Sequence, residues 1–592
     1  MPQPAEEQTV AVVGAGPRGT SFLERLLAHV EAAGCTPALR VIVFDPAPHG
    51  PGRVWDPRQS PLYLMNTPAG YPTAAPAGAT REELPPSSAA CSFAEWKGGE
   101  ETAYPSRADY GEYLSRLQHQ VTARLEACGV PVEHRSAEVT RCTRSDDGGY
   151  LLSTAGGEQH AEAVVLALGH IPARLNEIGQ RFTQAARDLG LRYFPPAVPT
   201  DVDYDALPAA ENVLVRGMGL NFFDLMIQVT AGRGGEFREL PGRPPGHRLE
   251  YVPSGREPRL IAGSRRGTPY RAKSTAPGFI PAGIELVHLT DEAIDEAERR
   301  HDLLDFRAHL WPLILQDVLH AYYRLSPEDH PQQSHPEAER FVRSLGRPFE
   351  GASFASHADY QQHMLSYLED DAATSDAGAA SPVKMAIGAL HAARMKLKEL
   401  IAEGRVSEAS RVGDVETWFE SLVEGTASGP PLQRIEELAA LARAGVVEFL
   451  GPDPVFDVDR ETGRFTAESP WVEAEQPYRA GCLLEAMMPA NRVQLSESPL
   501  VAGLLGDGLA RPKELIDAAG ALRAGKGFDV TPAPHRLIDA DGEVCEGLYV
   551  LGLQLSSVQW GTAIAAEAGG SPRGSARTLA DADAAARAIL GL

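Results

Sequence analysis

Cysteine, basic charge and long apolar runs are all scarce in this chain, and each scarcity removes a class of protein. The six cysteines (Cys35, Cys91, Cys128, Cys142, Cys482 and Cys545) form no Cys-x-x-Cys pair and no metal-ligand spacing. That pattern argues against a disulfide framework or a metal site and reads as small apolar fillers in a reduced, cytoplasmic protein. Lys and Arg number 55 against 80 Asp and Glu, a formal charge of −25. A surface of that sign repels nucleic acid and anionic membrane, so neither is expected as a partner. No run reaches bilayer-spanning length, and the start MPQPAEEQTV has neither the basic nor the apolar region of a secretory signal.

What is present is ordinary globular composition, 43% hydrophobic and 23% charged, over 592 residues. A chain of that length outgrows a single core, so two or three domains are expected. TVAVVGAGPRG is a β-branched run ending at Gly14, Gly16 and Gly19, with Pro17 and Arg18 inside the turn and a helical pattern after it. The glycines permit a tight turn, close approach to a pyrophosphate and helix-on-strand packing, while the helix N-terminus offers free N–H donors. The next strand, LRVIVFD, ends at Asp45, placed to accept from a ribose hydroxyl. PAPHGPGRVWDPRQSPLYLMNTPAG then runs on as a long irregular segment, which suits a loop lying along an extended cofactor and favours FAD over NAD. Trp55, Met65 and Asn66 are expected nearest its ring system. The strand AVVLALG, ending at Gly169, closes the first half.

The plan then repeats. VLVRGMGLNFFD gives a second strand and turn at Gly217 and Gly219, with Asn221 following and no third glycine. RLIAGSRRGTPYRAK places Ser264, Arg265 and Arg266 after the next strand, where a hydroxyl and two guanidinium groups suit a 2′-phosphate and hence NADPH. AGVVEFLGPDPVFDVDRETGRFTAES with YRAGCLLEAMMPANR mirrors the end of the first half. The excess between 285 and 435 reads as helix from its apolar spacing, with LSPEDHPQQSHPEAER and EDDAATSDAGAASP as polar connections. The insertion is placed to wall a substrate pocket over the NADPH half; His391 and Arg394 share a helix face there and are expected only to cap or pair locally. Near the C-terminus Gly552 follows a strand, and Trp560, Gly561 and Thr562 precede an Ala-rich stretch expected to be a helix that finishes the flavin site.

The expected fold class is therefore α/β: two Rossmann-like dinucleotide-binding domains, for FAD and NADPH, with an inserted helical region. The expected divisions are 1–205 and 493–592 for FAD, 206–284 and 436–492 for NADPH, and 285–435 for the insertion. GAGPRG, LYLMN, YPSRADYGEYL, LVRGMGLNFFD, PSGREPRLIAGSRRGTPYRAK and GPPLQRIEELAALARAGVVEFLGP together resemble the bacterial FAD/NAD(P)-binding family of secondary-metabolite clusters, whose best understood members are similar to nitrosuccinate synthases. The resemblance implies that Gly14, Gly16 and Gly19 hold FAD and that Gly217, Gly219 and Arg265 hold NADPH. It further implies an amino-acid substrate, L-aspartate, oxidised with O2 through a flavin C4a-hydroperoxide. Asn66 and Asn221 are the candidate catalytic side chains. Because guanidinium forks pair with carboxylates, Arg271 and Arg434 are candidates for holding a diacid. An FAD/NADPH reductase or oxidase that oxygenates nothing is the alternative, and a homodimer is compatible with the sequence.

Overall fold

The computed structural model describes residues 7–34, 36–326, 335–474 and 476–592. β1 (Gln8–Val13) is buried from Thr9 to Val13, the continuous burial of a parallel strand covered on both faces. α1 (Pro17–Ala33) starts on Pro17, whose missing N–H costs nothing at a first helical position. β2 (Leu39–Phe44), α2 (Arg107–Ala127) and β3 (Val132–Arg135) follow. An antiparallel meander, β4 (Val139–Arg144), β5 (Tyr150–Thr154) and β6 (Gly157–Ala161), then leads to β7 (Ala163–Leu166) beside β1. α3 (Glu177–Leu189) and β8 (Arg192–Phe194) cross over.

The second half opens with β9 (Asn212–Arg216), α4 (Leu220–Val229) and β10 (Arg259–Gly263). Its main helices are α5 (Trp311–Tyr323), α6 (His357–Asp376), α7 (Pro382–Ala402), α8 (Glu420–Ala427) and α9 (Leu432–Arg443). β11 (Val447–Phe449), the meander β12 (Val455–Asp459), β13 (Arg464–Glu468) and β14 (Tyr478–Ala480), and β15 (Cys482–Glu485) complete it. The chain then returns to the first sheet with β16 (Arg536–Ile538), β17 (Val544–Val550) and α10 (Arg577–Leu590).

The sheets run β16-β17-β7-β1-β2-β3 and β11-β10-β9-β15-β8. The order β7-β1-β2-β3 thus recurs as β15-β9-β10-β11, meander included. The repeat extends to single bonds: Gly14 N–H donates to the Phe44 carbonyl and Gly217 N–H to that of Gly263, both at 2.8 Å. A Cβ on Gly14 would stand 2.2 Å from the Ala167 oxygen, and one on Gly217 2.8 Å from that of Ala486. Both glycines have positive φ, 106° and 116°. Each first strand can therefore meet its closing strand only through glycine.

The structure corrects four expectations. Residues 563–570, AIAAEAGG, are no helix: Ala566–Glu567 pairs antiparallel with Pro72–Thr73, and α10 begins only at Arg577. EDDAATSDAGAASP is largely the end of α6, because Asp371 turns inward to bury its carboxylate; of the other connection, 327–334 lie outside the described residues and helix resumes at His335. β8 lies before the boundary expected at 205 but pairs with β15 in the second sheet. Cys142, Cys482 and Cys545 are buried as expected, whereas Cys91 and Cys128 are only half-buried and Cys35 lies outside the described residues.

Gly14→Ala is expected to cost roughly 1–3 kcal/mol of stability from backbone strain and to loosen flavin retention. Gly217→Ala should cost as much yet leave the flavin bound. Thermal unfolding and flavin absorbance after gel filtration check both; equal flavin loss in the two variants would contradict the division of labour.

Candidate active site

The first glycine turn is built to be open to an anion. α2 and α3 carry side-chain caps from Ser106 and Asn176, but α1 has Gly16 at its N-cap and no side-chain acceptor, so its first N–H groups stay free. Asp45 fastens the turn: its carboxylate accepts from Ala15 N–H at 2.7 Å and Ala47 N–H at 2.8 Å. Burial pushes that carboxyl above its usual range while those donors and His49 oppose the shift. Gly52 faces Gly16, 3.1 Å from where its own Cβ would stand, so two glycine turns face each other without side chains between them. These residues fit a dinucleotide pyrophosphate. Arg18 points elsewhere, donating to the carbonyls of Thr562 at 3.1 Å and Ile564 at 2.8 Å, and so ties the first helix to the C-terminal loop.

The second turn is likewise uncapped, with Gly219 at the N-cap of α4, and Tyr270 packs against it, its ring 3.3 Å from the position a Gly219 Cβ would take. Past β10, Ser264 donates to the Thr268 carbonyl and Arg265 is exposed. Arg266 is drawn inward: its guanidinium lies 4.9 Å from the Tyr270 ring centre and donates to the carbonyl and hydroxyl of Ser421 near the start of α8. Arg347, from the helical insertion, donates to the Arg265 carbonyl and so stands beside the exposed guanidinium's backbone. Ser264 and Arg265 fit a phosphate at the strand end; Arg266 is already engaged.

Between the first half and the helical insertion lies a cavity lined by Tyr104, Lys273, Phe279, Lys384, His391 and Ala427, among others. Phe279 is its hub. Its ring lies 4.0 Å from that of Tyr71 and 4.5 Å from that of His391, and the Lys273 ammonium stands 4.4 Å from its centre. Lys273 donates to the Ala427 carbonyl at 2.8 Å, and Arg394 to the Ser428 hydroxyl at 2.8 Å with its guanidinium over Trp560. Among the described residues neither Lys273 nor Arg394 has a carboxylate within ion-pair distance. Tyr71 Oη, His391 Nε2 and Arg394 Nε are buried without any partner. Burial, with the Arg394 charge second, lowers Lys273 to about 7 and Lys398 to about 8. Burial also holds His391 well below its ordinary value, so it is neutral.

Residues 11–171 match the family described as FAD-NAD(P)-binding. The chain is 34% identical to an L-aspartate N-monooxygenase (nitrosuccinate-forming) of Streptomyces davaonensis, covering 99% of this chain and 97% of the relative. It is 35% identical to the enzyme of that name from Streptomyces cremeus, covering 99% and 95%. A nitrosuccinic acid synthase of Aspergillus oryzae is 34% identical, covering 98% and 92%. This chain belongs to the same family of N-monooxygenases as these relatives. It is a flavin-dependent monooxygenase with FAD and NAD(P) as cofactors.

In this N-monooxygenase the residues singled out from sequence scatter more than expected. Asn66 donates to the Ser428 carbonyl at 3.3 Å, next to Ala427 of the cavity wall. Asn221 instead faces the crossover, donating to the Ala197 carbonyl at 3.3 Å. Met65 is a core residue of the first half, and Trp55 packs edge-on to Tyr110 at 4.8 Å. Gly169 is tied to the C-terminal loop by Gln554, and Gly552 leaves room for the Arg18 stem. Trp560, on the C-terminal loop, packs against the insertion and donates to Glu420 at 2.7 Å, and Gly561 makes way for Lys398.

Both candidate diacid arginines are internally committed. Arg271 donates to the Leu345 carbonyl at 2.7 Å and to Asp371 at 3.2 Å, and Asp371 also takes Lys384 at 2.8 Å. Arg434 pairs with Glu437 and donates to the Leu62 carbonyl. Freeing Arg434 would take from the buried Glu437 its ion-pair partner, which is strongly destabilising, and freeing Arg271 would leave Asp371 to Lys384 alone. Sequence reasoning missed Lys273, two residues beyond Arg271, as well as Tyr71, Phe279 and Lys398. It expected His391 and Arg394 to pair locally, and they do not.

From about 7 up to lysine's ordinary pKa of about 10.4, the unfolded chain holds a proton at Lys273 that the folded chain does not. This group therefore makes stability rise with pH across that window, and its cost is fully present below it. Lys273→Met is expected to stabilise the cofactor-free protein most at pH 7 and below, with the gain shrinking toward pH 10. Urea unfolding over a pH series checks this; a gain independent of pH would contradict the burial of an unpaired charge.

Proposed function

We propose that this chain uses FAD and NADPH to N-oxygenate the amino group of L-aspartate, forming nitrosuccinate. The observation that carries the reading is the group of buried polar side chains around Phe279: Tyr71, Lys273 and Arg394 present O–H or N–H groups, His391 Nε2 has no partner, and no carboxylate lies within ion-pair distance of Lys273 or Arg394 among the described residues. Buried donors without acceptors are costly, and a ligand bearing two carboxylates supplies the acceptors. The substrates named for the relatives are of that kind.

Bound FAD, reduced by the nicotinamide cofactor, supplies activated oxygen. Gly14, Gly16, Gly19 and the α1 N-terminus hold its pyrophosphate, and Asp45 faces the ribose end. Gly217, Gly219 and the α4 N-terminus hold that of NADPH, with Ser264 and Arg265 at its 2′-phosphate. Arg394 and Lys273 take the substrate carboxylates, which orients the amino group from the far side of the cavity. Phe279 and Trp560 line this region with apolar surface and keep water from it, which strengthens each polar contact there.

NADPH oxidation with peroxide release followed in parallel tests the reading. L-Aspartate is expected to accelerate NADPH use while peroxide falls relative to it, with nitrosuccinate appearing by mass spectrometry. Unchanged rates with a flavin that still bleaches would indicate a reductase or oxidase. Arg265→Ala is expected to raise the KM for NADPH roughly tenfold, from one lost charge-assisted contact, and leave that for NADH nearly unchanged. Arg266→Ala should affect both alike, because Arg266 supports Tyr270 and α8.

A further inference from the structure

Oxygen transfer to an amine needs a free lone pair on nitrogen, yet an amino acid in neutral solution carries an ammonium. Something in the site must take that proton, and it must do so where water is excluded. The titratable groups in and around the cavity can be weighed one at a time. His391 is buried among Lys273, Arg394 and Lys398, and stays neutral because that company disfavours any further positive charge. Lys384 is locked to Asp371, which also holds Arg271. Arg394 is a guanidinium and takes up no proton. Tyr71 and Tyr104 are phenols that burial holds protonated. Lys398 faces Gly561 on the far side of α7, close to Glu399 and Glu567.

Lys273 differs from all of these. It lines the cavity itself, has one hydrogen-bond partner, the Ala427 carbonyl, and rests over the Phe279 ring without a carboxylate. Three elements surround it: the extended segment bearing Arg271, helix α7 bearing Lys384, His391 and Arg394, and the segment before α2 bearing Tyr104. Of the acids on the neighbouring helices, Asp371 on α6 pairs with Lys384 and Arg271, and Glu424 on α8 acts on Arg394. An amine so placed gives up its proton easily while the site is empty and becomes more basic when an anion arrives. Its lowered proton affinity agrees.

We propose that Lys273 is the proton acceptor of the reaction, taking one proton from the substrate ammonium once the substrate carboxylates occupy the cavity. One N–H bond of the ammonium breaks and one N–H bond forms on Nζ. The substrate is left as a neutral amine, and the new Lys273 ammonium pairs with a substrate carboxylate, so the transfer leaves the net charge of the site unchanged. This rests on the aspartate reading, and its tests separate the two.

The first test uses a diacid without an amine. When succinate binds the FAD-loaded protein at pH 8, Lys273 should take its proton from the buffer, giving an uptake of roughly one proton by linkage. Calorimetry in buffers of different ionisation enthalpy reads this directly. L-Aspartate should bind with little net uptake, because its own ammonium supplies the proton. Lys273→Arg, which keeps a permanent charge, should bind succinate without uptake. No uptake in the unaltered protein, or undiminished uptake in the variant, would overturn the proposal.

The second test uses turnover. In Lys273→Arg and Lys273→Met, oxidation of aspartate at pH 8 should fall about 100-fold, the usual scale for losing a positioned base, and recover as pH rises. Oxidation of N-hydroxyaspartate, whose nitrogen is already neutral at pH 8, should fall far less. Equal losses on both substrates would mark Lys273 as structural and overturn its role. Should the unaltered protein take up the proton with succinate yet leave aspartate unoxidised, the aspartate reading fails while the proton-accepting lysine stands.

Discussion

Burying a basic side chain with no carboxylate in contact is costly whether it keeps its proton or gives it up, and this chain does it around Phe279. Arg394 and Lys273 are buried there with hydroxyl and carbonyl partners only. The same insertion shows the ordinary solution nearby, where Asp371 neutralises Lys384 and Arg271 together. Among the described residues Lys273 and Arg394 have no such partner within ion-pair distance, and the aspartate reading rests on that contrast. Much of the architecture serves that junction, because the cavity exists only where the first half, the segment after β10 and helix α7 meet.

The two dinucleotide halves are the scaffold that brings those surfaces together. Each uses the same physical device, a glycine at the end of its first strand that lets the closing strand approach to a distance no side chain allows. Arg107 then joins them, pairing with Asp224 on α4 at 2.7 Å while donating to the Leu64 carbonyl beside Met65 and Asn66. Arg18 performs a similar task at the other end, anchoring the loop that carries Trp560 and Thr562. The loop around the first cofactor is therefore held by guanidinium groups reaching across chain segments hundreds of residues apart.

What was legible in sequence was local. Strand, glycine turn, helix and acidic strand end lie within forty residues, and their second copy follows the same grammar, so both halves and the inserted helices could be read without partners in space. What failed depended on distant contacts. AIAAEA has a helical composition, but pairing with Pro72 and Thr73 overrides it. EDDAATSDAG looks like a solvated linker until Asp371 meets Lys384 and Arg271. Arg271 and Lys273 look alike from sequence; a carboxylate a hundred residues on decides that the first is structural and leaves the second free. His391 and Arg394 seemed destined to pair locally because nothing in the sequence shows that their helix faces the cofactor half.

The most direct test of the account is a crystal structure of the FAD-loaded protein with L-aspartate. The account predicts both carboxylates at the Phe279 cavity, within hydrogen-bond distance of Arg394 and Lys273, with Tyr71 or His391 completing the set and Arg271 still paired with Asp371. Aspartate bound elsewhere, or bound through Arg271 or Arg434 after their internal pairs have broken, would contradict it.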